Sequence, residues 1–227
     1  MGESLLGLFY PRLCPACSEV LYGNENILCL KCLSEFPRTG FHLDPENDMA
    51  RLFWGRVMIR NAAAFFYYQK GSRFQNLIHE IKYFNQKQLG ILLGRWFGDE
   101  LTNTSFRQAD LIHPVPLHAV KLKKRGYNQS EQIAQGLSQA LGIPMETNLI
   151  ERVVNTDTQT RKTKYERWSN VEGIFRVTKP EKLINKHILL VDDVVTTGST
   201  LEACATPLLA LEATAVSILT LGYARLR

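Results

Sequence analysis

The order of apolar and polar positions predicts strands that alternate with helices along most of the chain. Runs that are apolar at consecutive positions are typical of strands buried on both faces, as in parallel sheets. Between these runs, residues 72–101 and 128–144 carry apolar positions at helical spacing. The predicted strands are AAAFFYY at 62–68, ADLIHPVPL at 109–117, HILLVDD at 187–193 and ATAVSILTL at 213–221. The pattern predicts an α/β fold, a parallel sheet flanked by helices.

Local signals mark the ends of the predicted helices. Polar residues at 85–87 divide 72–101 into two helices. Ser199 and Glu202 have the spacing of a capping box and predict the start of the last helix. Pro207 lies inside that helix and is expected to kink or end it. A strand-to-helix junction is therefore predicted between residues 193 and 199.

The chain divides into three parts. At 227 residues it is long enough for one large domain with a small appendage. We expect a small module at 1–36, a polar, proline-containing connector at 37–60 and the main domain at 61–227.

The composition is that of an ordinary globular protein, with 45% hydrophobic and 22% charged residues. The net charge of +5 suits an anionic ligand and only weakly suggests nucleic acid. No apolar run reaches the eighteen or so residues that a membrane span needs, so no membrane insertion is expected. The N-terminus lacks the basic start and cleavage site of a secretory signal, so a cytoplasmic location is expected.

Two C-x2-C pairs near the N-terminus form the first chemical signal. Cys14 and Cys17 are followed, after eleven residues, by Cys29 and Cys32. Four thiolates at one point are the ligands of a closed tetrahedral Zn²⁺ site, although iron is also held by such a set. Two disulfides or free thiols are the alternative, and disulfides are less expected in a chain without a secretory signal. A closed site has no open position for a substrate, so a structural metal is predicted.

The second signal is ILLVDDVVTTGST at 188–200, where two acids follow a buried strand. A buried carboxylate without a partner costs several kcal/mol, so Asp192 and Asp193 are expected to face a ligand or a metal. Small and hydroxylated residues before a helix N-terminus can hold a phosphate through converging N–H groups. These residues are Val195, Thr196, Thr197, Gly198, Ser199 and Thr200. A sugar phosphate bound at both ends fits this layout.

Residues 188–200 resemble the motif that binds 5-phosphoribosyl-1-pyrophosphate (PRPP) in type I phosphoribosyltransferases. HPVPLH at 113–118, KKRGYNQ at 123–129 and the four-cysteine block resemble the ComF family of competence-associated proteins. The resemblance implies a type I phosphoribosyltransferase-like sheet preceded by a zinc-ribbon-like module. It also implies that Asp192 and Asp193 act in catalysis by holding the ribose hydroxyls, directly or through Mg²⁺, and that residues 195–200 bind the 5′-phosphate.

The same resemblance implies two groups around the pyrophosphate. One is the loop at Val115 and Pro116 with nearby Lys124 and Arg125, although a solvated basic face is an alternative for these cations. The other is a mobile hood at 155–170, whose cations suit a leaving group that gains negative charge. The hood cations are Arg161, Lys162, Lys164 and Arg167.

Three functions remain open from the sequence. An enzyme would displace pyrophosphate from ribose C1 with a nitrogen acceptor, and Thr196 in place of a third acid argues against a 6-oxopurine acceptor. The second is a domain that binds PRPP without turning it over, as a sensor or as a single-stranded DNA-binding adaptor for a helicase in DNA uptake. The third is a nucleic-acid binder, in which the basic loops and the zinc module contact phosphates. ComF relatives are linked to import of single-stranded DNA beside a helicase, which implies single-stranded DNA and a DNA-uptake helicase as partners.

Overall fold

The computed structural model describes residues 11–84, 86–154 and 173–225. The helices in these ranges are α1 (Leu30–Ser34), α2 (Asp48–Arg51), α3 (Gln75–Tyr83), α4 (Lys87–Leu101), α5 (Ala119–Arg125), α6 (Gln129–Leu141) and α7 (Ser199–Leu209). The strands are β1 (Ala62–Tyr67), β2 (Leu111–Pro114), β3 (Ile150–Arg152), β4 (Phe175–Val177), β5 (His187–Val195) and β6 (Ala215–Tyr223). Short 3-10 helices lie at Phe41–Leu43, Ser105–Gln108 and Pro180–Lys182.

The main sheet has the strand order β1-β6-β5-β2, and every pairing is parallel. The predicted parallel sheet flanked by helices is therefore confirmed. On one side β5 pairs with β6 as far as Val195, whereas on the other its last partner in β2 is Pro114, opposite Val191. The two acids that follow Val191 thus lie where one neighbouring strand has ended. Open parallel sheets bind ligands at such carboxyl ends.

Helices α4 and α6 pack against each other through glycines. A Cβ atom on Gly136 would lie against the carbonyl oxygen of Ile91, and one on Gly94 against the carbonyl oxygen of Ile133, inside van der Waals contact. Only glycine permits so close an approach of two helix backbones. This contact sets the position of α6, whose first turn reaches the end of β5.

Strands β3 and β4 form a separate antiparallel pair, in which Ile150 is opposite Val177. They flank residues 155–172, which lie outside the described ranges.

The segment at 37–60, predicted as a polar connector, packs on the main sheet. Asn47 is buried and its Nδ2 donates to the carbonyl oxygen of Ala62 at 2.8 Å. Met49 and Phe53 are fully buried. The segment thus contributes core residues, and it reaches the junction of β5 and α7.

Aromatic rings pack the end of the N-terminal module, at Phe36, against β1 and α4. The ring of Phe36 lies 5.0 Å from that of Phe65 and 4.8 Å from that of Trp96, measured between centroids. Such aromatic pairs contribute roughly 0.5–1.5 kcal/mol beyond their buried area. No helix in the described ranges is long and apolar enough to cross a lipid bilayer.

Candidate functional site

The site lies where β5 ends, between the first turns of α6 and α7. Asp193 is 5% exposed and points into the protein, whereas Asp192 is partly buried. Burying acids at this position is tolerated because polar partners surround them, as follows.

Asp193 has a partner for each carboxylate oxygen. The ammonium of Lys82, on α3, lies 2.9 Å from its Oδ1. The amide Nε2 of Gln129, at the start of α6, donates to its Oδ2 at 2.7 Å. Although burial would lower the pKa of Lys82, the charge of Asp193 raises it above its usual value. The pair is therefore an ion pair at neutral pH.

Asp192 has a different environment. Its Oδ1 accepts from Ser130 Oγ and from the backbone N–H of Asp193, both at 2.9 Å. Burial first, and then the charge of Asp193, raise the pKa of Asp192 to about 7. Its carboxyl group thus changes charge near neutral pH, as groups in functional sites often do.

The loop after the acids has the shape of an anion site. Gly198 has a left-handed φ of 78°, which favours glycine, and it stands at the N-terminus of α7. Thr196, Thr197, Ser199 and Thr200 are exposed around a concavity of about 40 Å³. A concavity of this size accepts one small anionic group. The hydroxyls and the helix N-terminus favour phosphate in that position.

Arg56, from the segment at 37–60, braces this loop. Its guanidinium donates to the carbonyl oxygen of Thr197 at 2.7 Å and to that of Leu52 at 3.0 Å. It also forms an ion pair with Glu202. A Cβ on Gly198 would approach the ring of Phe53 to 3.1 Å, so the same segment packs under the loop.

The predicted capping box at Ser199 and Glu202 is wrong. The N-cap of α7 is Gly198, which offers no side chain, and Glu202 pairs with Arg56 instead. Glu202 is thereby turned towards the segment at 37–60, and the hydroxyl of Ser199 faces that of Thr197 at 3.0 Å.

The loop expected to meet pyrophosphate begins within the core. Val115 is buried, donates its N–H to Val191 at 2.8 Å and accepts from Asn128 Nδ2 at 3.1 Å. Pro116 is partly buried. Lys124 is exposed on α5, and Arg125 donates to Gln129 Oε1 at 2.9 Å. Arg125 thus touches the residue that holds Asp193, whereas Lys124 lies on the solvent side.

The four cations of the predicted hood, Arg161, Lys162, Lys164 and Arg167, lie outside the described residues.

His113, in β2, is fully buried. Its Nε2 accepts from the N–H of Leu149 and its Nδ1 therefore donates to Pro114, while burial lowers its pKa to about 4. His113 is thus a neutral packing residue.

The four cysteines Cys14, Cys17, Cys29 and Cys32 come together. Their sulfur atoms all lie within 4.8 Å of one another, and those of Cys17 and Cys29 are 3.6 Å apart. Four thiolates bound at 2.3 Å to a tetrahedral Zn²⁺ are about 3.8 Å apart, so the cluster has the size of such a site. Burial raises the pKa of Cys14, but backbone N–H donors bring it to about 7, which favours a thiolate.

Two residues at the N-terminal end of α3 hold the cysteine cluster. Arg73 lies 3.7 Å from Cys32 Sγ and forms an ion pair with Glu35. Asn76 donates to the carbonyl oxygen of Ala16 at 2.9 Å. The fifth cysteine, Cys204, is fully buried in α7, where a free cysteine packs as a small apolar residue.

Four residues of the site were not predicted from the sequence. Gln129 and Ser130 follow Asn128, the N-cap of α6, and only the fold shows that this helix start meets the acids. Arg56 lies in the segment at 37–60, which was predicted as a connector, so no site residue was expected there. Lys82 did leave a signal, because it lies one turn after the buried Ile78 and next to Ile81 on an apolar helix face.

A family model described as Phosphoribosyl transferase domain matches residues 109–225, which include β2 to β6 and the acid pair. The fold and the site thus define the class of protein, a phosphoribosyl transferase domain. Over 218 residues the chain is 33% identical to the DNA utilization protein YhgH of Escherichia coli, covering 94% of this chain and 91% of that protein. The chain belongs to the ComF family.

Two further relatives match shorter segments. Competence protein F of Haemophilus influenzae is 35% identical over 130 residues, 55% of this chain and 57% of that protein. YhgH of Salmonella typhimurium is 33% identical over 146 residues, and the match spans 63% of each chain.

Solved structures of other proteins superpose on only part of this chain. Glutamine phosphoribosylpyrophosphate amidotransferase from B. subtilis overlaps with a TM-score of 0.43 at 22% identity, over 63% of this chain and 30% of that chain. A hypoxanthine phosphoribosyltransferase from Staphylococcus aureus has a TM-score of 0.39 at 16% identity, over 62% and 69%. Nothing about the substrate of this chain follows from overlaps of this size.

Proposed function

We propose that this protein binds PRPP with Mg²⁺ at the junction of β5 and α7. The observation that carries the proposal is the acid pair in the last part of β5, followed after Val194 and Val195 by an exposed hydroxyl loop at a helix N-terminus. In this proposal Asp192 meets the ribose hydroxyls, and residues 195–200 hold the 5′-phosphate. The name of the family model, and the resemblance of residues 188–200 to the PRPP motif, support the choice of sugar phosphate.

Asp192 is also the group that would hold Mg²⁺. Within the described residues its Oδ2 accepts no hydrogen bond, and an unpaired carboxylate oxygen is the kind of ligand that Mg²⁺ prefers. When bound, Mg²⁺ would stabilise the negative charge of the pyrophosphate.

We further propose that bound PRPP is a donor of phosphoribosyl groups. The bond between ribose C1 and the pyrophosphate oxygen breaks, and pyrophosphate leaves with the electron pair. A bond from C1 to the acceptor nitrogen forms, and the acceptor loses a proton. Asp192 holds the ribose hydroxyls, and the negative charge of the acid pair offsets positive charge on the sugar, so no covalent intermediate with the protein is needed.

The cellular role proposed is in DNA uptake or utilisation in the cytoplasm. It is supported by the names of relatives that are called competence protein F and DNA utilization protein. Zn²⁺ in the four-cysteine cluster is part of this proposal and has a structural role, because a closed four-thiolate site leaves no position for a substrate.

Calorimetric titration with PRPP and Mg²⁺ tests the binding. We expect the wild type to bind and Asp192→Asn to bind at least about tenfold more weakly, because a charge-assisted contact is lost. Asp110→Asn is the matched control, since Asp110 pairs with Lys186 at the opposite end of β5. A wild type without affinity for PRPP, or an Asp192→Asn variant that binds equally well, would contradict the proposal.

Measuring pyrophosphate release distinguishes an enzyme that transfers phosphoribosyl groups from a sensor that only binds PRPP. Sustained release that depends on an added nitrogen compound, and that Asp192→Asn abolishes, is the expected result. PRPP binding without release would assign a sensor role to the same site.

Nucleic-acid binding is a second candidate, and α5 favours it. This helix presents Lys123 and Lys124 to solvent, buries no residue, and lies beside the exposed ring of Tyr83. The guanidinium of Arg125 lies 5.5 Å from the ring centroid of Tyr83. Cations interleaved with aromatic rings suit single-stranded nucleic acid.

Affinity for an oligonucleotide should then fall steeply with added salt and be weakened in Lys123→Glu/Lys124→Glu. Affinity that does not depend on salt would exclude it.

A further inference from the structure

Lys82 lies on the apolar face of α3, and its ammonium group contacts the acid pair. Its neighbours Ile78 and Ile81 are buried, and its own side chain is 22% exposed. Lysine is rarely buried to this extent unless it has a partner, and here the partner is Asp193 Oδ1 at 2.9 Å. The resemblance of residues 188–200 to the PRPP motif assigns no role to this lysine.

The two acids use their oxygen atoms differently. Both oxygens of Asp193 are occupied, one by Lys82 and one by Gln129, and its side chain is 7% exposed. Asp192 uses Oδ1 for its two hydrogen bonds, whereas within the described residues its Oδ2 has no partner. Asp192 therefore keeps an oxygen for a ligand, and Asp193 faces the protein.

We propose that Lys82 is a positioning residue, which holds Asp193 against α6 and leaves Asp192 as the acid that binds the ribose and its Mg²⁺. This inference rests on the proposed PRPP site for its functional part. The division of roles between the two acids rests on the contacts of the protein by itself.

The contacts around the pair show what loss of Lys82 would do. Lys82 supplies the cation on Asp193 Oδ1, and without it Gln129 alone would hold that buried carboxylate. A buried carboxylate that loses its cation is strongly destabilised. Without Lys82, the Asp193 side chain should therefore turn away from α6 and compete with Asp192 for Mg²⁺ and the ribose.

The test is the affinity for PRPP with Mg²⁺ at pH 8, measured by calorimetry. We expect Lys82→Met to weaken binding at least about tenfold, because Asp193 loses the cation that holds it against α6. Lys82→Arg keeps the charge and should restore most of the affinity. Lys186→Met is the matched control, because Lys186 is a half-exposed lysine paired with Asp110 away from the site.

A second readout needs no ligand. A crystal structure of Lys82→Met without ligand should show the Asp193 carboxylate turned away from Gln129, with Lys82→Arg close to wild type. An Asp193 side chain that keeps its contact with Gln129 in Lys82→Met would overturn the inference. If the wild type fails to bind PRPP, the proposed function fails, and the crystal structures of the variants still decide the role of Lys82.

Discussion

At the scale of single residues, adjacent acids on one strand have different partners because successive side chains point to different sides. Asp193 is held by Lys82 and Gln129, whereas Asp192 is held by Ser130 and retains an oxygen. The sequence showed that two acids stand at this position, but it could not distinguish them. Their difference comes from residues on α3 and α6, which are distant along the chain.

The raised pKa of Asp192 predicts a pH-dependent stability. The folded protein keeps the Asp192 proton up to about pH 7, whereas an unfolded aspartate releases it near pH 3.9. The folded state thus binds more protons between these values, and the stability contribution of Asp192 falls as pH rises through this window. Asp192→Asn removes the buried charge.

Urea unfolding at pH 4 and pH 8 measures this effect. We expect Asp192→Asn to be more stable than wild type at pH 8, on the order of 1–3 kcal/mol, and close to wild type at pH 4. Equal differences at the two pH values would show that Asp192 has an ordinary pKa.

Arg56 gives a prediction for the phosphate loop. In Arg56→Ala the carbonyl oxygen of Thr197 loses its donor and Glu202 loses its cation. Loss of a charged hydrogen bond costs about 1.5–3 kcal/mol, so we expect PRPP affinity to fall about tenfold or more. Arg51→Ala, whose guanidinium lies over the ring of Trp54 in the same segment, is the control. Calorimetry that finds equal affinities for the two variants would refute the bracing role of Arg56.

At the scale of elements, the hydrophobic pattern predicted the main strands and the long helices, and it missed α5 and the packing of the segment at 37–60. The four strands of the main sheet and helices α3, α4, α6 and α7 follow the predicted runs. Helix α5 was not predicted, because it buries no residue and so has no apolar periodicity. The segment at 37–60 read as polar, although its few apolar residues, such as Met49 and Phe53, enter the core.

The contact of α4 with α6 predicts a strong effect of one methyl group. Gly136→Ala places a Cβ against backbone atoms of Ile91 and Arg95, which cannot move without separating the helices. Overpacking of this kind costs about 1–3 kcal/mol or more. Gln135→Ala, at an exposed position of the same helix, should change stability by less than about 0.5 kcal/mol. Equal melting temperatures of the two variants in thermal unfolding would contradict the packing described.

At the scale of the whole molecule, the cysteine cluster and the acid pair lie at opposite ends of α3. Arg73 and Asn76 contact the cluster from one end, and Lys82 reaches Asp193 from the other. The sequence carries a separate signal for each site, the cysteine pairs for one and the motif at 188–200 for the other. Their connection through one helix could not be predicted, since it depends on how the module packs on the domain.

Metal removal gives the prediction at this scale. Reduced protein should contain about one Zn²⁺ per chain, since a closed four-cysteine site binds one ion. Chelation should lower the thermal stability, because the metal supplies the folding energy of so small a module. Cys204→Ser is the control, since Cys204 is buried away from the cluster and should leave the zinc content unchanged. Full stability after complete removal of zinc would contradict a structural metal.

The most direct test of the central claim is a structure of the protein bound to PRPP and Mg²⁺. The account predicts that the 5′-phosphate lies within hydrogen-bond distance, about 3 Å, of backbone N–H groups in residues 197–200. It also predicts that Asp192, and not Asp193, meets the ribose or its Mg²⁺. PRPP bound elsewhere, for example on the cations of α5, or a ribose held by Asp193 with Lys82 displaced, would contradict it.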